Sequence, residues 1–208
     1  MNSILASRDR RSLMGQTFAS QEVHGDYRNG LLYKSSFEKV IFQQCKLDRA
    51  SFAGSVFRDC GFNSCSLSLV NFNACQFYDC TFHDCELDQS DFNSSIIKDT
   101  TFLVGRAQYV SFLNAGLTNV TFDCDLHGAD LRIASGTNVD FCDSNLWGAS
   151  INISCSLFRD KQLSERQVKL LLSLIAETKG NDDLRYSIRD LAGDFYVRMM
   201  QILADRER

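Results

Sequence analysis

The stretch FYDCTFHDCELDQSDF, residues 77–92, sets Phe77, Phe82, Leu87 and Phe92 five residues apart, with Cys80, Cys85 and Ser90 each two residues before the next large side chain. Neither a helix, with its period of 3.6, nor a strand, with its period of 2, would hold these residues on one face. Working outward, the step of five runs unbroken from Leu32 to Phe122 through nineteen positions, of which only Ala107 is not large and apolar. Two residues before each stands a small or compact side chain, among them Ser35, Val40, Cys45, Ala50, Ser55, Cys60, Cys65 and Cys75. After Phe122 the register slips by one and continues through Leu126, Leu131, Phe141, Leu146 and Ile151, with Gly136 as its weak member. A further slip lets Cys155 and Leu157 close the series. Phe18 and Val23 indicate an earlier turn in another register, joined through the irregular segment 24–30.

This pattern resembles the pentapeptide-repeat family, whose repeat is a small residue, a polar one, a Leu or Phe, and two more polar residues. The resemblance implies an all-β solenoid, a right-handed quadrilateral β-helix in which each pentapeptide forms one side of a square coil. In such a coil the central residue and the small residue two before it point inward. Coils stack at the inter-strand spacing of about 4.8 Å, so residues twenty apart form columns. Phe57, Phe62, Phe72, Phe77 and Phe82, with Cys45, Cys65 and Cys85, are then core. Free cysteine suits an inward position as a compact, modestly apolar filler; Cys142 alone falls at an outward one.

Composition limits the function. The net charge is −4 with no basic field for nucleic acid, no apolar run is long enough to span a bilayer, and proline is absent. The N-terminal residues MNSILASRDRRSLMGQ carry charges where an export signal needs an apolar core, so a cytoplasmic location is expected. A flexible segment is expected over 1–16, the β-helix over 17–158 and a helical hairpin over 159–208. For the last, Ser164 with Gln167 forms a capping box and Gly180 suits a C′ position. Leu184, Ile188, Leu191, Phe195, Met199 and Ile202 make one apolar stripe at helical spacing. That pair is read as a cap that also self-associates, giving a homodimer, or docks a partner.

Catalysis, cofactor and metal are not expected. C-x4-C steps put successive thiols on adjacent walls rather than at one point, and no catalytic motif accompanies His24, His83 or His127. Charge is more informative: residues 79–143 hold eleven acidic side chains against three basic ones, Lys98, Arg106 and Arg132, while residues 1–78 hold nine basic and six acidic. The acidic surface candidates are Asp59, Asp79, Asp84, Asp88 and Asp99, with Arg58 and Lys98 placed to offset the column Asp59, Asp79 and Asp99. Length and repeat style are similar to bacterial family members that protect DNA gyrase, which implies a protein partner such as gyrase or topoisomerase IV and an acidic rod that mimics DNA. The alternatives are an interaction scaffold, a secreted effector or an accessory subunit of a larger bacterial assembly, docking through the C-terminal helices.

Overall fold

The structure, a computed structural model, describes residues 14–133, 135–142 and 144–151. The hairpin expected over 159–208, with the stripe from Leu184 to Ile202, lies outside the described residues, as do Cys155, Leu157 and most of the N-terminal segment.

Five residues make a side because the backbone turns left-handed once per repeat. Two residues after the central side chain φ is +53° at Lys39, +54° at Asp59, +60° at Leu69 and +54° at Asp79, with glycine in the same role at Gly54, Gly128 and Gly148. This conformation costs a non-glycine residue about 1–3 kcal/mol, least for Asn and Asp, whose short polar side chains are enriched there. Four such corners return the chain above its start, and about six turns stack into a parallel β-solenoid. Strand Ser36–Gln43 lies parallel to Thr17–Val23 and, on its other edge, to both Val56–Arg58 and Gly61–Asn63, so one strand wraps a corner. The ladders continue through Ile96–Arg106 and Gly116–Asp125 to Ser135–Asp140. The other two sides join through single bridges such as Lys46 to Ser66 to Glu86. On them the central carbonyl accepts from the amide three residues on, Ala50 to Leu47 at 2.8 Å and Ser55 to Phe52 at 2.9 Å, and with the left-handed third residue this is a type II turn.

Three sides are filled by aromatic columns. Phe37, Phe57 and Phe77 stack with ring centroids 4.8 Å apart, and Phe42, Phe62, Phe82 and Phe102 at 4.6–4.7 Å. The facing column of Phe52, Phe72, Phe92 and Phe112 meets these rings edge-on, for example Phe72 against Phe82 at 80°. Both arrangements suit the ring quadrupole, and the coil spacing imposes the parallel one. Leu47, Leu67 and Leu87 line the fourth side, fully or almost fully buried.

The small inward position does more than fill space. Its thiol or hydroxyl donates to the central carbonyl of the coil beneath: Ser90 to Leu67 at 2.6 Å, Ser95 to Phe72 at 2.9 Å, Cys75 to Phe52 at 3.1 Å, Cys65 to Phe42 and Cys85 to Phe62 at 3.2 Å. Serine and cysteine are interchangeable here because both are small donors. Among the described residues no buried side-chain nitrogen or oxygen lacks a partner. Cys45, Cys60, Cys65, Cys75, Cys80 and Cys85 are buried free thiols, Cys124 is half-buried and Cys142 exposed. Burial pushes the Cys75 and Cys124 thiols up to about 12, so both stay protonated.

Two coils are one residue short, and both lose it at the same corner. Val23 pairs with Phe42 while Asp26 bridges to Lys46, so the half-buried Tyr27 takes the place that Leu47 holds one coil later. The slip after Phe122 repeats this, bringing Leu126 over Ala107. Gly136 pairs with Leu117 at the end of the Phe77, Ile97, Leu117 column. Ile133, which the five-residue step places outside, is instead buried at 2% exposure; the missing glycine side chain leaves the core short of apolar volume on that coil.

Candidate interaction surface

The five acidic candidates do not share one wall. Asp59, Asp79 and Asp99 stack in one corner column, each at the left-handed position, and Asn119 and Asn138 extend it: Asn119 donates to Asp99 at 2.7 Å and Asn138 to Asn119 at 3.0 Å. Asp84 occupies the next corner and accepts from Ser64 at 3.1 Å. Asp88 lies on the following wall, its side chain 18% exposed, where it accepts from the Gln108 amide and pairs with Arg106 at 3.0 Å. Among the described residues Arg58 and Lys98 form no ion pair with the Asp59, Asp79, Asp99 column, contrary to the expectation from their placement. Arg58 lies over the Tyr78 ring instead, 5.1 Å from its centroid, where the weakly hydrated guanidinium plane gains a cation–π contact.

The corner geometry accounts for short Asx side chains at these positions, since Asn114, Asn119 and Asn138 fill equivalent ones. It does not account for charge. Preference for aspartate over asparagine at 59, 79, 84 and 99 is therefore a property of the surface and not of the fold. Two of the three bases in the acidic half are already neutralised, Arg106 by Asp88 and Glu86 and Arg132 by Asp130. Among the described residues no group of His, Cys, Asp and Glu is arranged to hold a metal ion.

A second feature escapes the five-residue reading. On the wall that carries Leu87, Ala107, Leu126 and Leu146, the late coils place aromatics outside. Tyr109 takes the left-handed position with φ +56° and is 56% exposed, where a bulky side chain is out of place. Its ring covers Gly128 so closely that a Cβ there would lie 2.5 Å from it, and meets His127 edge-on at 5.4 Å. Trp147, 58% exposed, follows one coil on from His127 and its carbonyl accepts from the Gly128 amide at 2.8 Å. Beside these rings Asp125 accepts from Gln108 at 2.5 Å, Asn145 at 2.9 Å and the His127 amide at 3.2 Å. The sequence signal was present: a Tyr and then two glycines at successive corner positions, 109, 128 and 148, with His127 and Trp147 directly before the glycines.

The fold defines a class, a parallel β-solenoid of four-sided coils with an inward Phe or Leu on each side. Comparison with protein families places it further: a "pentapeptide repeat region" model matches residues 55–131 and a "pentapeptide repeats (8 copies)" model residues 35–73. Residues 35–131 therefore carry pentapeptide repeats. Among solved structures it is similar to QnrB1, a plasmid-mediated fluoroquinolone resistance protein, in a trypsin-treated variant form, at 13% identity and TM-score 0.39 over 81% of this chain and 93% of that one. It is similar to Rfr23 from the cyanobacterium Cyanothece, at 10% identity and TM-score 0.36 over 69% and 86%. HetL from the cyanobacterium Nostoc, involved in heterocyst differentiation regulation, matches at 14% identity and TM-score 0.28 over 67% and 84%. The chain matches none of the curated proteins.

Proposed function

We propose that the protein is a non-catalytic binding rod whose acidic half stands in for duplex DNA on a type II topoisomerase and protects that enzyme. The observation that supports this is charge density along the axis. Residues 79–143, eleven acidic against three basic, span slightly more than three coils. At about 4.8 Å per coil that is roughly one net negative charge per 2 Å, against about one per 1.7 Å for B-DNA. The aspartates at left-handed corners stand on a backbone fixed by parallel ladders, so the field is carried by a rigid body. A rigid partner loses little conformational freedom on binding.

The corner geometry supplies a clean test. Asp79→Asn, Asp84→Asn and Asp99→Asn together remove three charges while keeping side chains that suit φ near +50°, so folding should be untouched. Gyrase supercoiling in the presence of a quinolone is measured with and without the protein. Wild type should restore supercoiling and the triple variant should lose at least tenfold in effective concentration. Failure of the wild type to bind or protect either gyrase or topoisomerase IV would reject the reading.

A further inference from the structure

The aromatic corner built from Tyr109, His127 and Trp147 is explained neither by the core nor by the acidic rod. Core packing does not require it, since Tyr109 and Trp147 are both more than half exposed. Corner chemistry does not favour it, since the other left-handed positions carry mainly Asp, Asn, Ser, Gln or Gly. Tyr109 holds its place only because Gly128 leaves room for its ring. Gly128 is covered by the Tyr109 ring, while Gly148, one coil on, leaves the corner above it without a side chain, so the aromatic rings border a short strip of bare backbone at Gly148.

Charge decides what would enter that strip. Asp125 sits beside it and, among the described residues, has no Lys or Arg partner; its contacts are the neutral groups of Gln108, Asn145 and the His127 amide. Arg106, its register neighbour one coil below, directs its guanidinium to Asp88 and Glu86 instead. A carboxylate that no Lys or Arg neutralises, next to exposed aromatic rings, recognises a cation that can stack and pair at once, which describes the planar guanidinium better than a compact ammonium. The same molecule makes the stacking part of that contact internally, Arg58 over Tyr78. We propose that the Tyr109, His127 and Trp147 corner with Asp125 is a docking site for an arginine-bearing basic segment of a partner protein. This extends the reading of the coil as a protein-binding rod, but it does not require the partner to be a topoisomerase.

Trp147 is the only tryptophan in the chain, so its fluorescence reports the site in the full-length protein. An octa-arginine peptide is titrated while Trp147 emission is followed, with octa-lysine and octa-glutamate as comparisons. A saturable change is expected for arginine, a weaker one for lysine and none for glutamate. Tyr109→Asn, which suits the left-handed backbone, and Asp125→Asn should each weaken arginine binding about tenfold, the size of one such contact. Asp59→Asn, on another corner, should leave it unchanged. Trp147→Phe, read by anisotropy of a labelled peptide, supplies an independent variant if Tyr109→Asn loses its circular dichroism spectrum. No saturable change would overturn the proposal, as would equal weakening by Asp59→Asn, which means diffuse attraction to the rod. Trp147 shielded from acrylamide before any peptide is added would overturn it too, making the chain's own residues the occupant. Arginine binding retained without gyrase protection rejects the topoisomerase reading alone; protection retained without arginine binding rejects this one alone.

Discussion

The coils from Phe37 to Phe102 and those beyond Gly105 follow the same rule with different strictness. In the first group every coil is twenty residues, three of the four sides are stacked Phe apart from Ile97, and the small position is mostly a donor that ties each coil to the one beneath. In the second, Ala107 replaces the Leu of its column, one residue is lost after Phe122 and Gly136 leaves a side without a side chain. A small cavity of about 10 Å³, roughly the room for one water, opens between Leu87, Leu103, Gly105, Ala107 and Cys124. The exposed aromatics Tyr109 and Trp147 and the cation-free Asp125 lie in this less regular group. Regular coils hold the rod together; irregular ones have room for surface features that the repeat does not specify.

The sharpest way to break this contrast is in the stacked group. Phe72→Ala removes a ring that meets Phe52, Phe57, Phe62, Phe77, Phe82 and Phe92 and should cost about 3–5 kcal/mol in denaturant or thermal unfolding. Leu117→Ala, beneath Gly136, should cost less because its neighbourhood can collapse. A loss at Phe72 no larger than at Leu117 would remove the distinction between the groups.

Gly105→Ala comes next. The backbone there has φ +147° and lies against Cys85, so an added Cβ would run into the Cys85 carbonyl. Straining that bulge should cost about 2–3 kcal/mol, and a Tm equal to wild type would show that the bulge yields freely. Ser90→Ala then tests the donor role of the small position: it removes the 2.6 Å bond to the Leu67 carbonyl and should cost about 1 kcal/mol. Ser90→Cys, which keeps a donor, should recover part of that loss.

The smallest expected effect is electrostatic and belongs to the irregular group. Partial burial pushes the Asp125 carboxyl up, but hydrogen bonds from Gln108, the His127 amide and Asn145 outweigh it and hold it below the ordinary carboxylate value. A lowered folded pKa gives stability that is present above the unfolded value, about 3.9, and is lost as pH falls through the folded one. Thermal melts between pH 5 and pH 2 should therefore show wild type losing slightly more stability than Asp125→Asn. Parallel curves would mean the bonds do not favour the charged form.

Most of the architecture was legible because the repeat is redundant. Each Phe or Leu at the five-residue step reports the same inward direction, and the burial of Leu32, Phe57, Phe82 and Phe112 follows from that step alone. The places of Tyr27 and Ile133 were not legible, because each depends on how a coil closes when a residue or a side chain is missing. The donor role of Cys75 and Ser90 was hidden as well, since size predicts the same residues as hydrogen bonding does. Of the candidate surface, the acidic residues could be counted, but their separation onto different walls and the stacking of Arg58 on Tyr78 needed coordinates.

By itself the sequence determined the coil, its period, its inward residues and its charge, because these are local choices repeated at every side. Tertiary structure decided which outward residues become neighbours where the twenty-residue period breaks. Tyr109, Gly128 and Trp147 meet only after a shortened coil shifts the register by one, and that contact is made across coils and not along the chain.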